Sequence, residues 1–242
     1  MVRSSRKGRE EWKIKENVFD SFTLKNLEDL KSKRVIDELI SSYALGKEAN
    51  VFLASKGDEI LIVKIYRVEN CNFNKMHEYI CQDPRFTGLR GQKRKVIFSW
   101  VKREFKNMLI CRDKINCPVP FFCYHNILVM SMIGRDVPAK QLKNCTELVT
   151  VELFYEVMQG MRDIVSAGLV HGDVSAFNIL VERGSPVFID FSQATPIDSF
   201  NAQALLERDF TNLRSFFSKY ISVDFDAQLS NLIKHFKSKV KV

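Results

Sequence analysis

No stretch of this 242-residue chain is apolar for long enough to span a bilayer, and the N-terminal MVRSSRKGREEWK has no apolar centre of the kind a secretory leader needs. Export and a membrane role are therefore not expected. The expected location is cytoplasmic, with the nucleus also open to the chain. The six cysteines form no C-x-x-C pair, which removes zinc-site spacing, and a disulfide framework is foreign to a chain of this size, so reduced core thiols are expected. No repeat or low-complexity tract occurs. What is present is a globular composition, 45% hydrophobic and 27% charged, enough for one sizeable core or two small lobes.

The net charge of +8 is unevenly placed. Residues 1–15 carry six basic and two acidic side chains, residues 85–114 carry ten basic and two acidic, and the remainder is net −4. Such segregation points to a polyanionic partner, of which RNA is the commonest; on charge alone a solvated helix face fits equally well.

Along the chain, Thr23 is placed to cap a helix over 23–33, with a second short helix over 33–40. Segments 49–54 and 60–66 are β-branched and aromatic and read as a hairpin about Ser55-Lys56-Gly57-Asp58. A short helix over 73–81, a loop over 83–91 and a long helix over 93–113 follow, the last ended by Asn116-Cys117-Pro118. A second hairpin, 121–124 with 127–131, turns at His125-Asn126. Beyond it the chain is mostly helical: 146–166 closed by Ala167-Gly168, two short strands (179–181 and 187–189) about residues 183–186, then helices over 201–219 and 226–237. The expected fold class is α+β with two lobes, a β-rich lobe over 1–133 containing one long helix and a short helical lobe over 134–242.

The chemistry concentrates in VHGDVSAFNIL, where Asp173 and Asn178 stand five residues apart on a loop between a helix and a strand, and Asp190 ends the next apolar strand in VFID. That pattern suits phosphoryl transfer. One carboxylate, Asp173, orients or deprotonates an attacking hydroxyl, while Asn178 and Asp190 hold Mg²⁺ on phosphates. A loop whose Asp and Asn only satisfy backbone donors is the plainer alternative. In the first lobe, Gly46, Lys47, Glu48, Ala49, Asn50 and Val51 form a turn and strand start where a glycine lets backbone amides approach phosphate. Lys64 is a lone cation inside ILIVKIY and needs an anionic partner if buried, unless it snorkels from an edge. Glu104 lies on the stripe of Ile97, Trp100, Val101, Met108 and Leu109 and so points inward, as that partner. Met130, Ser131 and Ile133, between the lobes, are suited to hold adenine, with ATP the implied nucleotide.

Together these residues resemble the RIO family of atypical protein kinases, particularly its type-1 branch, over residues 42–220. GKEANVF resembles its phosphate loop, VKIYR its lysine strand, FNKMHEYICQDPRF its insert, WVKREFKNM its helix with the paired Glu, LVMSMIG its hinge, LVHGDVSAFNIL its catalytic loop and IDFSQA its metal loop. The resemblance implies a two-lobed kinase-like fold, ATP with Mg²⁺, and action in late maturation of the small (40S) ribosomal subunit. It further implies the pre-40S particle, RNA and protein, as partner of a monomer, and Asp190 as a phosphoryl acceptor. Neither D-F-G nor A-P-E occurs and about ten residues separate Asp190 from the next helix, so no activation segment or peptide platform is expected. Ala44-Leu45 stand where the family usually has Ser-Thr and Ala176 where an acid is common, and the long charged tail that some relatives use for docking is not expected. The competing readings are an aminoglycoside- or choline-type phosphotransferase, which shares HGDxxxxN and the IDF strand, and an ATP-sensing scaffold with little transfer activity.

Overall fold

The computed structural model describes residues 19–68, 73–81, 83, 85–86 and 92–240. The basic segment 1–15, Cys71 and most of the loop expected over 83–91 lie outside the described residues. Among the described residues, helix α1 (Ser21–Ser32) comes first. Its cap is Asp20, whose carboxylate accepts the Thr23 N–H at 2.7 Å, so Thr23, the expected cap, lies in the first turn and is buried.

The second helix expected over 33–40 does not form. Arg34 takes a φ of 56°, Val35 donates back to the Leu30 carbonyl, and from Glu38 the backbone runs extended as β1 (Glu38–Leu45). Ile36 and Leu39 still reach the core, but Ile36 from the link before β1 and Leu39 from the strand itself, whose pairing with β2 (Ala49–Lys56) outweighs a weak local helical preference. The hairpin of β2 with β3 (Glu59–Tyr66) is as expected, turning at Gly57 with φ 57°. So is that of β4 (Pro120–Tyr124) with β5 (Ile127–Ser131).

These strands form one antiparallel sheet in the order β1-β2-β3-β5-β4. Strand alternation divides its faces. Phe52, Leu61, Val63, Ile65 and Val129 pack with Leu27 and Leu30 of α1. Tyr66, Leu128 and Met130 turn the other way, joining a core that runs through Ile97 and Trp100 of α3 (Lys93–Cys111) to Phe154, Phe217 and Phe236. Between β3 and α3 lies α2 (Phe73–Cys81), whose Tyr79 meets Trp100 edge-on at 5.9 Å.

In the second half, β6 (Lys140–Gln141) precedes α4 (Val151–Ser166) and β7 (Leu169–Val170) follows it. The cap of α4 is Thr150, accepting the Leu153 N–H at 3.1 Å; residues 146–148 make a separate 3₁₀ turn, so the helix starts later than its apolar spacing suggests. The chain continues as β8 (Ile179–Glu182), β9 (Ser185–Phe188), β10 (Thr195–Pro196), α5 (Ala202–Phe217) and α6 (Phe225–Lys239). A small sheet β6-β8-β9 and a β7-β10 pair frame the loops that carry the polar motif.

Candidate active site

Lys64 sits mid-strand in β3 on the face turned toward α3. Its ammonium lies 2.8 Å from Glu104 Oε1 and 3.0 Å from Asp190 Oδ1, joining the sheet, the long helix and the end of β9. Burial by itself would lower the Lys64 pKa, but the Asp190 and Glu104 carboxylates hold it well above its ordinary value, so the ammonium stays charged. Glu104, almost wholly buried, is raised by that burial and held back by Lys64; the Tyr66 hydroxyl donates to its other oxygen at 2.5 Å. Asp190 moves the opposite way. Burial opposes its charge, but Lys64 and the Ser192 hydroxyl, donating at 2.7 Å, bring it below the usual carboxylate range. Its backbone has φ 64° and ψ 69°, a left-handed conformation that a non-glycine residue holds only when its surroundings enforce it.

Asn178 stands just before β8 and its carbonyl accepts the Ile189 N–H at 3.0 Å, which puts it beside Asp190, just past the end of the adjoining strand β9. Its amide nitrogen donates to the Asp173 carbonyl at 2.9 Å and to the Asp173 carboxylate at 3.1 Å. With the nitrogen so occupied, Asn178 Oδ1 and the one-third-exposed Asp190 carboxylate are two neighbouring hard oxygen donors, a set that fits Mg²⁺ shared with phosphates. Among the described residues no group of three or more His, Cys, Asp and Glu is gathered as for a zinc-type site.

The loop bearing Asp173 is pinned from beneath by α5. Asp209, fully buried, accepts the backbone N–H of Gly172 at 2.8 Å and of Val174 at 2.9 Å; Asn212 donates to the Val174 carbonyl at 3.2 Å and Arg208 to that of Gly172. Burial pushes the Asp209 carboxyl up to about 7 against those two donors. His171, also buried, donates from Nε2 to the Ile189 carbonyl at 3.1 Å, and burial pushes its pKa down to about 4, so the ring is neutral. Gly172 has φ 76°, and a Cβ there would stand 3.0 Å from the Gln193 carbonyl oxygen.

A cavity of about 220 Å³ opens from this cluster. Of the residues singled out by sequence, Val51, Lys64, Glu104, Met130, Ser131, Ile133, Asn178 and Asp190 line it, as does Ala44. The Ser131 N–H and the Ile133 carbonyl are already engaged, by the Val119 carbonyl at 2.9 Å and the Ala139 N–H at 2.8 Å. Gly46, Lys47 and Glu48 form the β1–β2 turn; a Cβ on Gly46 would come within 2.7 Å of the Ala49 carbonyl oxygen, so the turn requires glycine. Ala49 and Asn50 open β2, and the Asn50 side chain accepts from Arg67 at 3.2 Å. Asp173 is not part of the cavity wall but joins it through Asn178.

Sequence reasoning missed Tyr66, His171, Ser192 and Asp209 as members of the site. Asp209 had a visible signal, an acid on the apolar stripe of Leu205, Leu206, Phe210 and Leu213, the same anomaly that revealed Glu104. Tyr66 had a weaker one, since two residues from Lys64 along a strand is the same face.

Comparison with known proteins bears on the same region. A family model of the RIO domain matches residues 50–229. The chain is 39% identical over 221 residues to the RIO-type serine/threonine-protein kinase Rio1 of Methanocaldococcus jannaschii, covering 90% of this chain and 76% of that protein. It is 34% identical over 213 residues to the human serine/threonine-protein kinase RIO1, covering 85% of this chain and 38% of the human one. In fold it resembles the crystal structure of the Rio2 kinase-ADP/Mg²⁺-phosphoaspartate complex from Chaetomium thermophilum, with a TM-score of 0.63 at 17% identity over 88% of this chain and 73% of that one.

Proposed function

This chain belongs to the RIO family, and on that premise we propose that it is an ATP- and Mg²⁺-dependent phosphotransferase of the serine/threonine-kinase type, turning over as a kinase or as an ATPase, that acts in late maturation of the small ribosomal subunit. The observation that carries this reading is the Lys64 ammonium bridging Glu104 and Asp190 at the polar end of an otherwise apolar cavity. Ile62 and Leu180 offer apolar walls for a flat base, and Lys64, kept charged and fixed by Glu104, presents its N–H groups to the phosphates. Bound Mg²⁺ would supply neutralisation of phosphate charge, held by Asn178 Oδ1 and the Asp190 carboxylate. Asp173, kept in place by the Asn178 amide, orients the attacking hydroxyl and takes its proton.

Asp190 itself is the proposed acceptor in the ATPase mode. Its carboxylate oxygen forms a bond to the γ-phosphorus as the bond from that phosphorus to the β–γ bridging oxygen breaks and ADP leaves; water then hydrolyses the acyl phosphate to carboxylate and inorganic phosphate. The phosphoaspartate of the Chaetomium Rio2 complex supports that step. The exposed cations Lys93, Arg94, Lys95 and Lys102 on α3 support an RNA-containing partner, the pre-40S particle, met by a monomer in the cytoplasm or nucleus. The RIO match over 50–229 supports this reading over an aminoglycoside- or choline-type enzyme.

The test is incubation with γ-labelled ATP and Mg²⁺. Released phosphate and a hydroxylamine-labile label on the protein are expected, and both should be lost in Lys64→Ala and in Asp190→Asn. Absence of hydrolysis and of labelled protein, with and without ribosome precursors, would sink the proposal.

A further inference from the structure

Asn107 lies on α3 one turn beyond Glu104 and is wholly buried. Its amide nitrogen donates two hydrogen bonds, to the Phe191 carbonyl at 2.9 Å and to the Ala194 carbonyl at 2.8 Å. Both carbonyls belong to the short turn that immediately follows Asp190. The amide orientation is fixed by this pairing, since only the nitrogen can face two carbonyls; Asn107 Oδ1 is buried without a hydrogen-bond partner among the described residues. A buried unsatisfied acceptor is costly, so the residue is poorly suited as mere filling and well suited to gripping two carbonyls.

These bonds close a ring of contacts. Lys64 bonds Glu104; Glu104 and Asn107 are one turn apart on a rigid helix; Asn107 holds the turn at 191–194; and that turn begins from Asp190, which bonds Lys64. Asp190 also carries the left-handed backbone, which must be enforced from outside itself. The two donations from Asn107 anchor the backbone that follows Asp190 to α3. We propose that Asn107 is a positioning residue that fastens the metal-binding turn to the Glu104 helix as one body, so that Lys64, Glu104 and Asp190 stand assembled before nucleotide arrives. The helix then needs no activation segment to bring it in, because swinging it outward would break two buried bonds as well as the ion pair. This rests on the proposed function only for its effect on turnover; the clamp itself is a property of the free protein.

The test compares wild type with Asn107→Leu, which keeps shape and removes the donor, and Asn107→Ser, which retains one hydroxyl donor and serves if the leucine variant folds poorly. Leu232→Ala, in the buried interior of α6 and remote from the cluster, is the control for general loss of stability. In nucleotide-free protein, backbone hydrogen exchange over 190–195 and over the Glu104 turn of α3 should quicken at least tenfold in Asn107→Leu, less in Asn107→Ser, and not in Leu232→Ala. The Mg²⁺ concentration for half-maximal ATP turnover should rise at least tenfold in Asn107→Leu, at a temperature where it and Leu232→Ala are both folded, and stay within twofold in Leu232→Ala. Unchanged exchange in both Asn107 variants overturns the clamp, as does a turnover loss that follows melting temperature alike in Asn107→Leu and Leu232→Ala. Wild-type protein inactive toward ATP would fail the functional proposal instead, while the exchange measurement would still decide the clamp.

Discussion

His171 and Asp209 lie beneath the loop that carries Asp173 and titrate in opposite senses. Burial drops His171 from an ordinary 6.5 to about 4, so folding disfavours its proton; its stabilising contribution is present above pH 6.5 and is lost as the pH falls toward 4. Burial raises Asp209 from 3.8 to about 7, so folding favours its proton; its contribution is full below the ordinary carboxylate range and is lost as the pH rises through 7. Between pH 6.5 and 4.5 the two slopes nearly cancel, each changing stability by about 2 kcal/mol. Removing one should therefore unmask the other. Acidification over that window should cost Asp209→Asn about 2 kcal/mol more than wild type and His171→Asn about 2 kcal/mol less, read as slopes from urea unfolding at several pH values. Parallel slopes in all three proteins would contradict the assignment. What the sequence reveals at this scale follows from charge. Lys64 and Glu104 are legible because an ion in an apolar pattern demands a partner, and Asp209 carries the same mark; Asn107 and Tyr66 are neutral and demand no counter-ion, so beyond the strand face that Tyr66 shares with Lys64 their roles show only when the turn at 191–194 and the Glu104 carboxylate are seen beside them.

Elements were legible where a period repeats over enough residues. The hairpins of β2 with β3 and β4 with β5, and the long helices α3 and α5, follow directly from their apolar spacing. The octet at 33–40 did not, because Ile36 and Leu39 suit either a helix or a strand and the choice was made by pairing with β2. The two-residue strands β6, β7 and β10 are too short to carry any period, and they frame the motif loops through partners distant in sequence. Packing between elements also explains a residue the pattern treats as neutral. Gly160 lies in the middle of α4, where glycine weakens a helix, yet a Cβ there would run into Cε2 of the buried Phe188 ring on β9. Gly160→Ala gains about 1 kcal/mol of helix propensity but forces the ring or the helix to move at a cost of about 1–3 kcal/mol. We expect net destabilisation of roughly 1 kcal/mol in urea unfolding; a variant more stable than wild type would show that α4 and β9 do not meet so closely.

At the scale of the molecule, the cavity divides the surface but not the interior. The main core passes without interruption from Leu128 and Met130 on the sheet, through Trp100 and Met108 on α3, to Phe154, Phe210 and Phe236 in the helical part. The smaller core under α1 occupies the opposite face of the same sheet and shares its backbone. Separate lobes joined by a hinge would unfold separately; a continuous core makes the loss of either part expose the apolar face of the other, which couples them. Nucleotide-free protein should therefore unfold in one calorimetric transition, with van't Hoff and calorimetric enthalpies in agreement. ATP with Mg²⁺, binding only the folded form, should raise that single midpoint with ligand concentration, and Lys64→Ala should abolish the rise while leaving one transition. Two resolved transitions in the free protein, with only one of them moved by nucleotide, would show that the cleft reaches through the core and that α3 belongs to one side alone.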